Sequence, residues 1–343
     1  MNKRVIFQIA ATYVGAVMGA GFASGQEIQQ FFANFGSAGI IGILCSTILF
    51  AGLGWIMLDL QKRWKVTSYA DFFEHLFGKR WGNRMDILVS LLLFIGMVAM
   101  MSGAGAVFRQ FFNLSPWLGI LITALIISLA LWFKGEGVLW INSMLIPLKF
   151  MFCIGIGLWA ILFATGTKDA GIELAANPLI HNWLFSSILY VSFNLTLAMV
   201  VFASLGKEVQ RPEGRIGALL GGIALGLFAL VIALTLLKFP EVRGFEIPMV
   251  AVAGSLGSWP GFCYVTVLWL AMLTAAIGNG FSLITHMEKK FKLHYKKAAA
   301  VLLLLVVPLS GVKFSLIVKM IYPLFGYLGL VFIPVLCWSW LKR

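Results

Sequence analysis

The chain has 343 residues, 61% of them hydrophobic and 11% charged, with a mean hydropathy of +0.96; a water-soluble domain of this composition would aggregate, so the solvent is lipid. The net charge of +13 does not point to nucleic acid, because the basic residues fall in clusters between apolar runs. Cys45, Cys153, Cys263 and Cys337 lie inside apolar runs without paired spacing, which indicates neither a disulfide framework nor a zinc site.

A bilayer-crossing helix needs about 20 apolar residues. Hydropathy with polar, Pro and Gly punctuation places ten spans, near residues 5–32, 37–59, 85–109, 117–133, 139–165, 182–205, 216–237, 258–286, 297–311 and 316–340. The first opens with Lys3 and Arg4 and contains Phe22-Ala23-Ser24, a superficial likeness to a cleaved secretory signal. The apolar run continues past that point, so it is read as a span.

That span carries Gly15, Gly19, Gly21 and Gly25 where a helix should be continuous, and each Gly weakens a helix by about 1 kcal/mol relative to Ala. Two readings compete: close helix packing through small residues four apart, or a break in the helix. The polar tail Ser24, Gln26, Glu27, Gln29 and Gln30 favours the break, since an ionisable group at membrane depth normally faces a cavity or a partner. A broken helix turns the amides of its second half toward an anion and its freed carbonyls toward a cation. Gln26 and Glu27 are candidates for gating or for contacting substrate charge.

The stretch from Gln61 to Asn83, with Tyr69, Phe72, Phe73, Leu76 and Phe77 among charges, reads equally as a surface helix or as a plain basic loop. In the fifth span Lys149 stands alone two residues after Pro147, at a depth where lysine costs about 3 kcal/mol on insertion scales. Burial disfavours the charged form, so Lys149 is suited to gain and lose a proton, while Pro147 kinks the helix and frees a carbonyl. The sixth span has Tyr190, Ser192, Phe193, Asn194 and Thr196 at its middle. In an intact helix Ser192 and Thr196 lie on one face and Asn194 nearly opposite, so the three line one cavity more easily if the helix unwinds; interhelical hydrogen bonds are the alternative. The eighth span holds a small, polar stripe from Thr274 through Asn279 to Ser282. Two connectors, Thr167 to His181 and Phe239 to Trp259, are long enough for short interfacial helices.

With the N-terminus cytoplasmic, 19 of the 26 basic residues fall inside, from Lys3 and Arg4 through Lys134, Lys207 and Arg211 to Lys342 and Arg343. Arg109, Lys168, Lys238, Arg243, Lys313 and Lys319 fall outside, so the positive-inside rule selects both termini in. Ten spans divide into two sets of five, and an odd set makes the second enter from the opposite side, the topology of an inverted repeat. No nucleophile elbow, phosphate loop, metal-ligand pair or haem spacing is present, so an enzyme has no residues to stand on.

Gly-Ala-Gly-Phe-Ala-Ser-Gly-Gln-Glu at positions 19–27 resembles the YkvI-like bacterial membrane proteins. More distantly the chain is similar to the amino acid-polyamine-organocation superfamily with the LeuT fold. The resemblance implies an all-α polytopic protein of the bacterial cytoplasmic membrane, a single transporter domain over 1–343 with repeats 1–166 and 180–343, and broken first and sixth helices around substrate. It implies a substrate site of Gly19, Ala20, Gly21, Phe22, Ala23, Ser24, Gly25, Tyr190, Ser192, Phe193 and Asn194. The sodium site of coupled relatives would fall at Gly15, Met18, Ala271 and Thr274, but position 275 is an alanine without the hydroxyl. In sodium-independent relatives a lysine of the fifth helix replaces that ion, and Lys149 is similar in position.

The expectation is a secondary active transporter for a small solute, an amino acid or amine-type compound, working by alternating access. Its first and sixth helices would rock against a scaffold, with proton-coupled or sodium-independent movement through Lys149. Sodium symport and a non-transporting ligand sensor are the rivals. No cofactor, resident metal or nucleic-acid partner is expected; the partners are the solute and the lipid bilayer.

Overall fold

The computed structural model describes residues 2–66, 69–132, 138–166, 177–204 and 213–342. Lys134, Lys168, Lys207, Arg211 and Arg343, and most of the connector from Thr167 to His181, lie outside the described residues.

Every described element is helical. Among the described residues six stretches are long and apolar enough to cross a bilayer, at 37–64, 87–112, 183–202, 213–238, 258–288 and 314–341, with shorter apolar helices at 116–132 and 147–163. The long helices are α4 (Ser37–Trp64), α6 (Lys79–Phe112), α9 (Trp183–Ser204), α10 (Glu213–Lys238) and α12 (Ser258–Phe291), joined by α7 (Pro116–Trp132), α8 (Val138–Phe163) and α13 (Tyr295–Leu309).

The first span is broken, as its glycines suggest. Helix α1 (Lys3–Val17) stops where Met18 adopts φ −79°, ψ 68°, and Gly19 is extended at φ −71°, ψ −175°. A single turn, α2 (Ala20–Ala23), follows, and Gly25 at φ +82° starts the short helix α3 (Gln26–Phe31). A Cβ on Gly19 would meet nothing within 4 Å, so this glycine does not make a packed interface. Close packing is instead the work of α10, where Gly217 and Gly221 admit Ile9 and Tyr13 of α1, and Gly222 and Gly226 admit Ala51 and Thr47 of α4. The glycines wedge α10 between α1 and α4.

The sixth span corrects the expectation: α9 runs unbroken from Trp183 to Ser204. It has no glycine to lower the cost of unwinding, and its polar side chains satisfy themselves along the helix. Asn194 Nδ2 donates to the Tyr190 carbonyl at 2.9 Å and Thr196 Oγ1 to the Ser192 carbonyl at 3.1 Å, one turn back. Ser192 reaches across to the Gly326 carbonyl at 2.7 Å. The irregular partner lies in the tenth span, which is divided into α14 (Phe314–Leu316), a π turn at Ile317–Ile321, α15 (Tyr322–Gly329) and α16 (Phe332–Leu341).

The stretch after α4 forms α5 (Tyr69–Phe77). Phe72 and Phe73 are buried, with the Phe73 ring 5.5 Å from Phe332 and the Trp64 ring stacked on His75. The connector after α10 carries a 3-10 turn at Pro240–Gly244 and α11 (Pro248–Ser255). At the end of the bundle holding the N-terminus, buried Asp59 ties three helices. It pairs with Arg63 on its own helix, accepts from Arg215 of α10 at 2.9 Å and accepts from Trp340 Nε1 of α16 at 3.0 Å.

Candidate functional site

The break in the first span opens onto a cavity of about 250 Å³. Its walls come from the end of α1, the facing side of α2 and α3, the middles of α6, α8 and α12, the second half of α9 and the first half of α15. Val89 on α6, Val201 on α9 and Asn279 on α12 lie toward the N-terminal end of the bundle, so the cavity extends from the break in that direction.

Glu27 and Lys149 are the acid and the base on this wall. Glu27 is 4% exposed and Lys149 7%. Glu27 sits in the first turn of the short helix α3, and Lys149 two residues beyond the proline inside α8, Pro147. Tyr190 donates from its hydroxyl to Glu27 Oε2 at 3.3 Å. The other carboxylate oxygen lies against Gly21, where a Cβ would collide with it. Absence of a side chain at Gly21 thus seats the Glu27 carboxylate beside the broken backbone.

The expected substrate residues divide. Gly19, Gly21, Phe193 and Asn194 line the cavity together with Glu27 and Lys149. Ala20, Phe22, Ala23, Ser24, Gly25, Tyr190 and Ser192 are buried behind them, as are Met18 and Ala271 of the expected cation site; Gly15 and Thr274 of that site are on the wall. Backbone amides of Ala23, Ser24 and Gly25, expected to hold an anion, are engaged internally by the carbonyls of Gly19, Ala20 and Phe22. Thr274 Oγ1 is shared between the Leu270 and Ala271 carbonyls at 3.0 and 3.2 Å. Gln26 faces away from the cavity, into a separate pocket with Gln29 and Gln30.

Sequence reasoning missed Tyr322 and Phe325 of α15 and the apolar wall from Val89 to Met100 on α6. Tyr322 stacks on Phe193 with ring centroids 4.7 Å apart. Its signal was the run Tyr322-Pro323 with Gly326 and Gly329, which permits close approach of α15 to α9; a Cβ on Gly326 would lie 2.8 Å from the Leu189 carbonyl oxygen.

The far end of the cavity is sealed by backbone contacts to the break. Tyr264 of α12 donates its hydroxyl to the Ala23 carbonyl at 2.5 Å, Met249 N of α11 bonds the Ser24 carbonyl at 3.1 Å, and Gln29 Nε2 donates to the Arg243 carbonyl at 2.5 Å. The connector is itself anchored to α6. Gln110 exchanges two bonds with Ile247, at 2.8 and 3.0 Å, and Arg109 pairs with Glu246 at 2.8 Å.

Comparison with known proteins places this geometry. The sequence profile of the Tryptophan/tyrosine permease family matches residues 4–212. Membrane protein YkvI of Bacillus subtilis (strain 168) is 31% identical over 98% of the chain and 96% of its own length. Among solved structures the inward-facing conformation of Mhp1 superposes with a TM-score of 0.69 at 14% identity, covering 98% of this chain and 75% of that one. MhsT in complex with L-phenylalanine gives 0.63 at 16% identity, over 94% and 87%. The fold is that of the LeuT-type transporters.

Proposed function

The chain belongs to the tryptophan/tyrosine permease family, whose members are transporters and not enzymes, and on that premise we propose that it moves an amino acid or amine-type solute across the membrane by alternating access. Ten spans would form two inverted sets of five, residues 1–166 and 180–343, with the termini cytoplasmic. The observation that carries this reading is the cavity at the severed first span, lined by buried Glu27, buried Lys149 and Asn194. The Glu27 carboxylate matches a solute bearing an ammonium group. Glu27 would meet the ammonium, and Asn194 would fix polar atoms between Phe193 and Tyr322. A family description naming tryptophan and tyrosine, and a fold neighbour holding L-phenylalanine, make aromatic amino acids the first solutes to test.

Lys149, a buried ionisable side chain lining the cavity, would couple movement to a proton. The seal at Tyr264, Met249 and Gln29 is the closed side of such a cycle, and the chamber extending toward the N-terminal end is its open side. Sodium symport is the second reading, favoured by Gly15 and Thr274 standing on the cavity wall. Both are decided by uptake of tritiated L-tryptophan, L-tyrosine and L-phenylalanine into proteoliposomes, under an imposed pH gradient and with sodium or choline outside. Accumulation driven by the pH gradient in choline supports the proton-linked carrier. Accumulation only in sodium sinks the role given to Lys149, and binding without flux makes the chain a ligand sensor.

A further inference from the structure

A cut helix offers an anion the free amides at the start of the piece that follows the cut, and in this chain a carboxylate of the protein already lies there. Glu27, two residues past Gly25 on α3, is folded back over α2, so that a Cβ on Gly21 would collide with its Oε1. The Tyr190 hydroxyl holds the other carboxylate oxygen at 3.3 Å.

Much of the donor capacity that a second carboxylate would need is already used. The amides of Ala23, Ser24 and Gly25 bond the carbonyls of Gly19, Ala20 and Phe22, and that of Gln26 bonds Ser24 Oγ at 3.2 Å. On the facing helices Thr196 Oγ1 donates to the Ser192 carbonyl, Thr274 Oγ1 to the Leu270 and Ala271 carbonyls, and Asn194 Nδ2 to the Tyr190 carbonyl. A solute carboxylate brought to the remaining amides of α2 would meet Glu27 as well, and two carboxylates sharing one site disfavour each other's charge. Lys149, the one cation on the cavity wall among the described residues, stands on a different helix, α8.

A seated acid beside an aromatic pair and an apolar wall is the complement of a cation with an apolar body. We propose that the solute of the central cavity is an arylalkylamine, an aromatic amine without a carboxylate, in preference to the amino acid from which loss of CO2 would yield it. Its ammonium would lie on Glu27 and its ring on the stacked rings of Phe193 and Tyr322, against Val89 and Leu92 of α6. Ring faces near the ammonium add to the attraction. The proposal narrows the solute class given above to its amine half, and it rests on the reading of the chain as a carrier.

The test is equilibrium dialysis of the purified full-length chain in lipid nanodiscs, with empty nanodiscs subtracted for partitioning. The probes are tritiated tryptamine, tyramine and 2-phenylethylamine, each beside its parent, L-tryptophan, L-tyrosine or L-phenylalanine. At least one amine should bind roughly tenfold or more tighter than its parent, the size of one charge-assisted hydrogen bond. Glu27→Gln, which keeps the shape and removes the charge, should bring the two close to equal. Gly21→Ala, which displaces the carboxylate without removing it, should weaken the amine in the same way, and each variant is checked for a monodisperse profile. A parent that binds as tightly as its amine overturns the inference and leaves the amino-acid carrier standing; loss of that binding in Lys149→Gln would put the solute carboxylate on Lys149. An amine preference that survives both Glu27→Gln and Gly21→Ala also overturns it, because the seat at Gly21 would not be its cause. No binding of any of the six overturns both readings.

Discussion

Replacing Tyr264 by phenylalanine removes one oxygen and nothing else from the seal. In the closed arrangement that hydroxyl donates to the Ala23 carbonyl, beside the point where Gly25 turns the chain into α3. Loss of the bond leaves a buried carbonyl without its donor, at a cost of roughly 1–3 kcal/mol. The bond belongs to the state in which this end is shut, so the whole of that cost is spent on the conformational equilibrium. The seal should open about 5- to 150-fold more often. A reporter is available in Asn194, which is 1% exposed and lines the central cavity behind the seal. With Cys45, Cys153, Cys263 and Cys337 replaced, Asn194→Cys in proteoliposomes should react with a membrane-impermeant thiol reagent added on the sealed side, and Tyr264→Phe should raise that rate within the same range. An unchanged rate, with a thermal midpoint also unchanged, would show that the Tyr264 bond does not hold the seal.

Gly25→Ala should lower the melting temperature of the purified protein, because a Cβ at φ +82° would lie 2.8 Å from Met249 Cγ and a left-handed non-glycine residue costs roughly 1–2 kcal/mol. Gly19→Ala, with nothing within 4 Å, should melt as wild type. Asp59→Asn should cost about 2 kcal/mol, the loss of charge-assisted bonds to Arg63, Arg215 and Trp340 discounted for the partly exposed arginines; chemical denaturation in detergent reads it, and a change below about 0.5 kcal/mol would demote the cluster to an ordinary surface pair. Lys149→Gln should keep solute binding by dialysis while uptake ceases to follow the pH gradient, and uptake that still follows it would remove Lys149 from coupling.

The first span was legible because two independent signals coincided: glycines that weaken a helix, and Gln26, Glu27, Gln29 and Gln30 placed where lipid would not tolerate them. The identity of the buried base was legible for the same reason, since Lys149 stands alone in an apolar run. The sixth span misled because Ser192, Asn194 and Thr196 were read as demands on a cavity, whereas such side chains can bond the carbonyl one turn back and be satisfied in an intact helix. Only Asn194 and Thr196 reach the wall. The π turn was illegible because it has no periodicity of its own, and the Tyr322 contact was signalled only by Gly326 and Gly329, which permit close approach without naming α9 as the partner. The amide wall on α3 was visible as composition, but the sides of the helix could be told apart only once Glu27 was seen folded back on Gly21.

Continuity of α9 changes which parts can move. Ser186 bonds the Phe31 carbonyl at 2.5 Å, Ser187 the Gly42 carbonyl at 2.9 Å and Ser192 the Gly326 carbonyl at 2.7 Å, so α9 is fastened to α3, α4 and α15 along its first half. A helix fastened in this way and lacking a break does not flex at its middle. The first span, by contrast, is cut at Met18–Gly19 and again at Gly25, which leaves α2 and α3 attached through backbone that no helical ladder stiffens. The Ser186 bond is the one that crosses between the two: it ties fixed α9 to the end of movable α3. If α2 and α3 swing against α9 with the connector at 239–257 following, Ser186→Ala, freeing the Phe31 carbonyl, should raise labelling at Asn194→Cys as Tyr264→Phe does. Labelling unaffected by Ser186→Ala but raised by Tyr264→Phe would place the hinge at the α12 side of α3, and labelling raised by neither would return the motion to α9.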